Sequence, residues 1–206
     1  MDYPCKAKNT IQICIGQIFY FEICLFWLET VSLARGILSL IVIIREHKLS
    51  TMLHPSLQSR LENQHLALID KLENVPASIL KTRIVPGKWT VQENLAHLVS
   101  YQPVFLERMQ LILTQPDPAI LPYQADTDPL FAGLIDLPLE EVILEMKKGR
   151  EQVLNLIGSL SPAEFARKGA HPVYGNLSIL GWTEFFILHE SHHMFTMYRL
   201  LAQPLS

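Results

Sequence analysis

Two histidines near the C-terminus have the spacing of residues that bind one metal ion. His189 and His193 lie four residues apart in the segment FFILHESHHMFTMYRLL, and in an α-helix this spacing places both imidazoles on one face. Apolar residues recur on the same face, at Trp182, Phe186, Met197 and Leu200. An unpaired buried polar group costs about 1 to 3 kcal/mol, whereas a transition metal takes a lone pair from each ring. The pattern therefore favours a metal site over a pair of core histidines.

His97 is the candidate for a third ligand from upstream. In the helix expected to contain it, His97 shares a face with Asn94, Leu98, Tyr101 and Phe105. Three histidines from two helices would leave coordination positions open for water or substrate, as in catalytic zinc sites. The alternative is a core or cleft histidine that is hydrogen-bonded to Glu93 or Tyr101.

The letters HESHH also satisfy the zinc-protease signature H-E-x-x-H, which puts Glu190 in the position of a general base. The commonest protease classes need a further ligand downstream, but no His, Asp, Glu or Cys follows His193. The sequence therefore argues against the usual zinc-protease architectures. Glu190 and Glu93 stay candidate proton acceptors. Glu93 could instead orient the ring of His97, and a helix-capping role is its simpler account.

The other histidines fit the metal site less well. His192 lies about 100° around the helix from His193, so we expect it to be exposed or at the pocket edge. His171, in the segment AHPVYG, is expected to serve a structural turn, and a role as a fourth ligand or proton carrier is the alternative. Spacing supports no partner for the remaining three, His47, His54 and His65.

Four amphipathic helices must position these residues. Apolar periodicity predicts them over residues 57–75, 90–114, 138–157 and 177–201. The second begins at the capping box Thr90-Val91-Gln92-Glu93. Because no strand-like alternation is found, we predict an all-α fold, a four-helix bundle with an apolar N-terminal extension.

The connections between these helices are unequal in length. Residues 115–136 contain four prolines and four aspartates, which predicts a long loop with at most a short turn of helix. We expect this loop to cover part of the metal pocket. A second capping box at Ser161 and Glu164, with Pro162 between them, predicts a short helix before the loop KGAHPVYGN.

Composition narrows the function classes. The chain has 206 residues, 49% of them hydrophobic, and its net charge of −3 with 17 thinly spread basic residues offers no stripe for nucleic acid. All cysteines lie in the first 24 residues, at Cys5, Cys14 and Cys24. The rest of the chain can therefore form no disulfide, which is typical of a cytoplasmic protein.

Residues 1–51 differ in character from residues 52–206. Residues 11–28 are apolar and just long enough to span a bilayer, but Glu22 interrupts them and no signal-peptidase site follows. We interpret residues 1–51 as an appended or mis-assigned translation start, since Met52 directly precedes the patterned domain. The alternatives are a membrane anchor within residues 11–44 and a packed helix.

The motifs GKWTVQENLAHL and FILHESHHMFTMYRL, separated by a long loop and a third helix, resemble the DinB/YfiT-like superfamily of four-helix bundles. The segment AHPVYGNLSILGW resembles the connection before the last helix in one branch. The resemblance covers residues 55–202 and has no counterpart for residues 1–51. It implies a divalent metal, commonly zinc or nickel, held by His97, His189 and His193. It also implies kinship with transferases and isomerases that use bacillithiol, mycothiol or glutathione, and with proteins named as metal-dependent hydrolases.

These observations lead us to expect a metal enzyme in which the ion lowers the pKa of a bound thiol or water. A thiol-dependent transferase is the first hypothesis. A hydrolase that uses bound hydroxide, with Glu190 or Glu93 as proton acceptor, and a non-catalytic metal-binding or ligand-binding bundle are the alternatives. We expect a small-molecule substrate and no nucleic-acid partner, and a membrane partner only if residues 11–44 form an anchor. A homodimer is left open.

Overall fold

The computed structural model describes residues 52–203, which contain seven α-helices and one β-hairpin. The helices are α1 (Pro55–Leu72), α2 (Ala77–Leu80), α3 (Val91–Thr114), α4 (Pro129–Asp136), α5 (Leu139–Ser159), α6 (Pro162–Phe165) and α7 (Ile179–Leu201). The long helices α1, α3, α5 and α7 pack together as a four-helix bundle, so the predicted fold class is confirmed. The interpretation of residues 1–51 concerns a segment outside the described residues. Among residues 52–203, no helix is both long and apolar enough to cross a bilayer.

Buried apolar side chains form two clusters, separated on the long helices by polar residues. One, the Trp182 cluster, includes Phe105 and Trp182, and the other, the Leu95 cluster, includes Leu95. On α1, α5 and α7, members of one cluster precede a buried polar residue and members of the other follow it. These polar residues are His65 on α1, Arg150 on α5 and Glu190 on α7. The bundle therefore contains a polar layer between two apolar clusters.

Local capping sets where the functional helix α3 begins. The Thr90 hydroxyl accepts a hydrogen bond from the Glu93 backbone N–H at 3.0 Å, and the Glu93 carboxylate accepts one from the Thr90 N–H at 2.6 Å. This is the predicted capping box, and a second one at Ser161 and Glu164 opens α6. Both helix starts were therefore encoded by a few adjacent residues.

The segment predicted as the loop KGAHPVYGN is instead a β-hairpin, so that prediction was wrong. Strands β1 (Lys168–His171) and β2 (Gly175–Ser178) pair antiparallel, with His171 opposite Gly175. Gly175 closes the three-residue turn with a φ of +75°, which other residues rarely adopt. Strands of four residues are too short for alternation of polar and apolar residues to reveal them.

The hairpin also holds the segment before α4 in place. The backbone N–H of Ile120 donates to the Ala170 carbonyl at 2.7 Å, and the Ala170 N–H donates to the Pro118 carbonyl at 2.9 Å. Residues 115–136, predicted as a long loop with at most a turn of helix, contain a 3₁₀ turn (Ala125–Thr127) and the eight-residue helix α4. Asp128 caps α4 by accepting the Leu130 N–H at 2.8 Å. This segment is therefore held by the hairpin at residues 118–120 and stabilised internally by the Asp128 cap.

Candidate metal centre

Helices α3 and α7 bring the three predicted histidines together. His97, His189 and His193 each offer one ring nitrogen, and these nitrogens lie within 4.8 Å of one another. The Nε2 atoms of His97 and His189 are 3.0 Å apart. Zinc binds imidazole nitrogen at about 2.0 to 2.1 Å, so a small movement of the rings would let one ion bind all three. Among the described residues, no other group of three or more His, Cys, Asp or Glu side chains has this proximity.

The environment keeps the three imidazoles neutral. Burial lowers the pKa of His97 to about 4, and burial together with the neighbouring histidines lowers the pKa of His193 to about 3 and of His189 to about 2. A histidine in this state keeps a lone pair available at neutral pH. The set therefore has the protonation state that a divalent cation requires.

The hydrogen bonding of these rings differs from that of ordinary core histidines. The Nδ1 atoms of His97 and His189 are buried and have no hydrogen-bond partner. The partners considered for a core role of His97 are engaged elsewhere, because Glu93 caps α3 and the Tyr101 hydroxyl accepts a hydrogen bond from Arg108 at 2.7 Å. Closely spaced neutral rings, two of them with an unpartnered buried Nδ1, fit a divalent metal better than a pair of ordinary core histidines.

Asn94 fixes the ring of His193 and was not identified as a functional residue from the sequence. Its Nδ2 donates to the Thr90 carbonyl at 2.8 Å, which orients the amide so that Oδ1 lies 2.8 Å from His193 Nδ1. The Asn94 oxygen must accept, so Nδ1 of His193 carries the proton and Nε2 is left with its lone pair. The only sequence signal was the position of Asn94 one turn before His97 on the same helix face.

Aromatic side chains surround the histidines. Trp89 lies 4.9 Å from His97 and 6.1 Å from His193, measured between ring centroids. Tyr123 stacks on His97 at 5.7 Å, and the edge of Phe131 approaches the same ring at 6.5 Å. Tyr123 and Phe131 belong to residues 115–136, so this segment contacts the His97 ring, as expected of a cover for the site, although none of its residues lines the cavity beside His193. The Tyr123 hydroxyl is held by Ser100 and Asp128.

Glu190 does not face the three histidines, although it adjoins His189 in the chain. One carboxylate oxygen forms a buried ion pair with Arg150, and the other accepts a hydrogen bond from the Gln64 side chain at 3.0 Å. Arg150 in turn donates to the Leu61 carbonyl at 2.8 Å. The structure therefore places Glu190 in the polar layer of the bundle and engages both of its oxygens there.

Glu93 is engaged at the start of α3. Partial burial acts to raise its pKa, but hydrogen bonds from Thr90 and the guanidinium of Arg83, 2.6 Å away, outweigh burial and hold the pKa below its usual range. Its carboxylate contacts these two groups and not the ring of His97. This geometry matches the capping role.

The remaining predicted histidines lie as expected. The His171 Nδ1 accepts the backbone N–H groups of Val173 at 3.1 Å and Tyr174 at 3.3 Å, which is a structural turn. His192 is exposed and lines a cavity beside His193. His65, which lies in the apolar stripe of α1 and for which spacing supported no partner, is buried. None of the three joins the cluster.

A cavity of about 500 Å³ adjoins the histidine cluster at His193. Asn94 and His193 form the part of its wall next to the histidine cluster, and Lys88, Trp89 and Arg199 also line it. Ligand-binding pockets measure roughly 300 to 1,000 Å³. The cavity is thus large enough for a small molecule that reaches the metal ligands.

Comparison with known proteins supports this description. A family model described as the DinB superfamily matches residues 60–197. A relative from Oceanobacillus iheyensis is 29% identical over 117 residues, which is 56% of this chain and 66% of the relative. A relative from Bacillus mycoides is 28% identical over 109 residues, 52% of this chain and 61% of the relative. Both are named "Putative metal-dependent hydrolase", and the chain spans slightly less than two thirds of each.

Solved structures share the fold. YfiT from Bacillus subtilis, described as a probable metal-dependent hydrolase with an unusual four-helix bundle topology, has a TM-score of 0.60 at 22% identity. The match covers 70% of this chain and 83% of YfiT. TT2238, a four-helix bundle protein, has a TM-score of 0.54 at 22% identity, covering 70% of this chain and 97% of TT2238. At this identity the likeness establishes the four-helix bundle alone.

Proposed function

Because the chain belongs to the DinB superfamily, we propose that it is a metal-dependent enzyme whose His97, His189 and His193 hold a divalent ion, zinc or nickel. The observation that carries this proposal is the convergence of three neutral imidazoles from two helices. The names of the curated relatives support it. When bound, the ion would lower the pKa of a thiol or water at an open coordination position.

Thiol-dependent transfer to an electrophilic small molecule is the reaction that the chain's own residues favour. A thiol has an ordinary pKa of about 8.5, far below that of water at about 15.7. A smaller decrease in pKa is therefore enough to deprotonate a thiol at neutral pH. The carboxylates first considered as proton acceptors, Glu190 and Glu93, are held by Arg150 and by the helix cap. The thiol would lose its proton to solvent, its sulfur would form the new bond to the electrophilic atom, and the leaving group would depart with the electron pair of the bond that breaks.

The residues around the cluster would support this chemistry without reacting themselves. Asn94 would keep the His193 ring in the orientation that exposes Nε2. Trp89, Tyr123 and Phe131 would exclude bulk water from the rings that they contact. A drier site strengthens the electrostatic stabilisation of a thiolate.

Metal-dependent hydrolysis is the second candidate, and Asp126 is the observation that favours it. The negative charge of Asp126 is near enough to act on His97, whose pKa it raises against the larger effect of burial. Asp126 is exposed and lies in the 3₁₀ turn of the segment that covers the histidines. In a hydrolase its carboxylate would accept the proton of the attacking water.

Reconstitution with cobalt(II) tests the two candidates against each other. If the proposed transferase is correct, small thiols should produce a charge-transfer band, and conjugation of 1-chloro-2,4-dinitrobenzene should require both metal and thiol. His193→Ala provides the background rate. Hydrolysis of p-nitrophenyl acetate that needs metal and Asp126, with no thiol effect on the spectrum, would overturn the transferase in favour of the hydrolase.

A further inference from the structure

The cavity beside the metal centre has a charge that the proposed function does not use. Lys88, Trp89, Asn94, His193 and Arg199 line it, and we call this surface the basic cleft. No aspartate or glutamate is among its lining residues. Within residues 52–203, neither Lys88 nor Arg199 forms an ion pair. The cleft therefore presents two uncompensated positive charges next to a ligand of the metal site.

Hydrogen bonds fix the backbone of the turn that contains Lys88. The Lys88 N–H donates to the Val85 carbonyl at 3.1 Å, and the Lys88 carbonyl accepts a hydrogen bond from Arg83. Gly87 permits this turn with a φ of +72°. Arg83 also pairs with Glu93, which neutralises the acidic side chain nearest in sequence. Lys88 is thus held beside the cleft while the local negative charge is already compensated.

Helix electrostatics do not account for both cations. Arg199 lies in the last turn of α7, where the helix dipole favours a positive charge. Lys88 lies two residues before the end of α3 that begins at Thr90, where the dipole disfavours a positive charge. The helix dipole therefore does not explain a cation at Lys88, whereas an anionic ligand between Lys88 and Arg199 would be stabilised by both.

The same cleft offers an apolar surface. The Trp89 ring packs against both His97 and Phe131, with centroid distances of 4.9 Å and 5.3 Å. A fixed indole can cover the apolar or planar part of a small molecule. Because His193 belongs both to the cleft wall and to the histidine cluster, a molecule in the cleft can extend one end to the metal.

From these observations we infer that the small molecule reaching the metal carries an anionic group, a carboxylate or a phosphate, held by Lys88 and Arg199 with its apolar part against Trp89. This inference rests on the proposed function, because the metal centre defines the reactive end of the ligand. It adds the charge of that ligand and the residues that select it.

Three small thiols of different charge provide the probes. Cobalt-loaded full-length protein is titrated with 3-mercaptopropionate, 2-mercaptoethanol and cysteamine, and each dissociation constant is corrected for the thiolate fraction in solution. We expect the anionic thiol to bind about fivefold to tenfold more tightly than the neutral one, and cysteamine to bind most weakly. Phosphate should compete with 3-mercaptopropionate more strongly than with 2-mercaptoethanol.

Substitutions should remove the preference without removing the metal. Lys88→Ala with Arg199→Ala should bring the three dissociation constants together, and Lys88→Glu with Arg199→Glu should reverse their order. Lys148→Ala is the matched control, since it deletes an exposed lysine that pairs with Glu145 outside the cleft. Equal affinities for the three thiols in the unmodified protein, or a preference that survives both double variants, would overturn the inference and leave the proposed function standing.

A measurement that needs neither metal nor thiol distinguishes failure of the inference from failure of the proposed transferase. The fluorescence of Trp89 is obtained by subtracting the emission of Trp89→Phe from that of the metal-free protein. Iodide, an anion, should quench this fluorescence several times more strongly in the unmodified protein than in the variant with Lys88→Glu and Arg199→Glu. Neutral acrylamide should quench both equally. If no thiol alters the cobalt spectrum, the proposed transferase fails and the iodide result decides the inference: a difference between the proteins supports the basic cleft, and equal quenching overturns it.

Discussion

Asn94 Oδ1 lies 2.8 Å from His193 Nδ1, which couples the first turns of α3 to the face of α7 that bears His189 and His193. The same Asn94 side chain donates to the Thr90 carbonyl, so the capping region of α3 determines the orientation of a histidine 99 residues later in the chain. A hydrogen bond of this kind fixes the tautomer and direction of a metal-binding imidazole.

Removing the Asn94 oxygen should weaken metal binding. We expect Asn94→Ala to lower the affinity for zinc about 10- to 100-fold, because His193 loses the acceptor that holds its Nε2 toward the other rings. Asn63→Ala, on the exposed face of α1, is the control. Competition with a zinc chelator measures both proteins, and an unchanged affinity in Asn94→Ala would show that Asn94 does not position His193.

Metal content should depend on three histidines. Replacing His97, His189 or His193 by Ala should each reduce bound zinc to a small fraction of one equivalent, because two imidazoles no longer complete the set. His192→Ala and His65→Ala should retain the full equivalent, since neither side chain belongs to the cluster. Elemental analysis of the purified proteins decides, and full loading of any of the first three would refute the assignment.

The ion pair between Arg150 and Glu190 should contribute to stability rather than to catalysis. Each side chain is at least 97% buried, so Glu190→Gln leaves an uncompensated cation in the core and should cost about 3 to 5 kcal/mol of unfolding free energy. Arg150→Met combined with Glu190→Gln should recover part of this loss. Urea unfolding measures the free energy of unfolding of the unmodified protein and of these variants. A stable Glu190→Gln protein that binds metal but lacks activity would instead indicate a catalytic carboxylate.

The buried His65 should make stability depend on pH. Burial, with the charges of Arg150 and Lys147, lowers its folded pKa to about 4 from an ordinary value of 6.5. Between these values the unfolded chain takes up a proton that the folded protein does not, so the unfolding free energy decreases as the pH falls. His65→Gln should reduce the loss between pH 7 and pH 5 by about 2 kcal/mol. Urea unfolding of the metal-free proteins at both pH values tests this, and equal losses would contradict it.

The close approach of the hairpin to the bundle should be sensitive to one methyl group. A Cβ atom at Gly169 would lie 2.8 Å from Ile112 Cγ1 and 2.9 Å from Ile120 Cγ1, so Gly169→Ala should destabilise the protein by about 1 to 3 kcal/mol. Gly133→Ala on α4 is the matched control, because nothing lies within 4 Å of its added Cβ. Thermal unfolding of both variants distinguishes them, and equal stability would mean that the hairpin moves freely away from Ile112.

The sequence by itself determined the four long helices and most of their ends, but not the hairpin, α2 or α4. The 3.6-residue periodicity and the capping boxes at Thr90 and Ser161 act between residues a few positions apart, so they can be recognised without a structure. For the same reason the shared face of His189 and His193 was predictable. The pairing of His97 with them followed from its helix face and from the resemblance to a known family.

Only the tertiary structure decided which groups meet across the bundle. Glu190 adjoins His189 in the sequence, yet its ion pair with Arg150, 40 residues away, places it in the polar layer. The contacts of Asn94 with His193 and of residues 118–120 with the hairpin likewise join distant segments. Such contacts depend on how helices pack and rotate against each other. The local sequence patterns that specify each helix do not determine that packing.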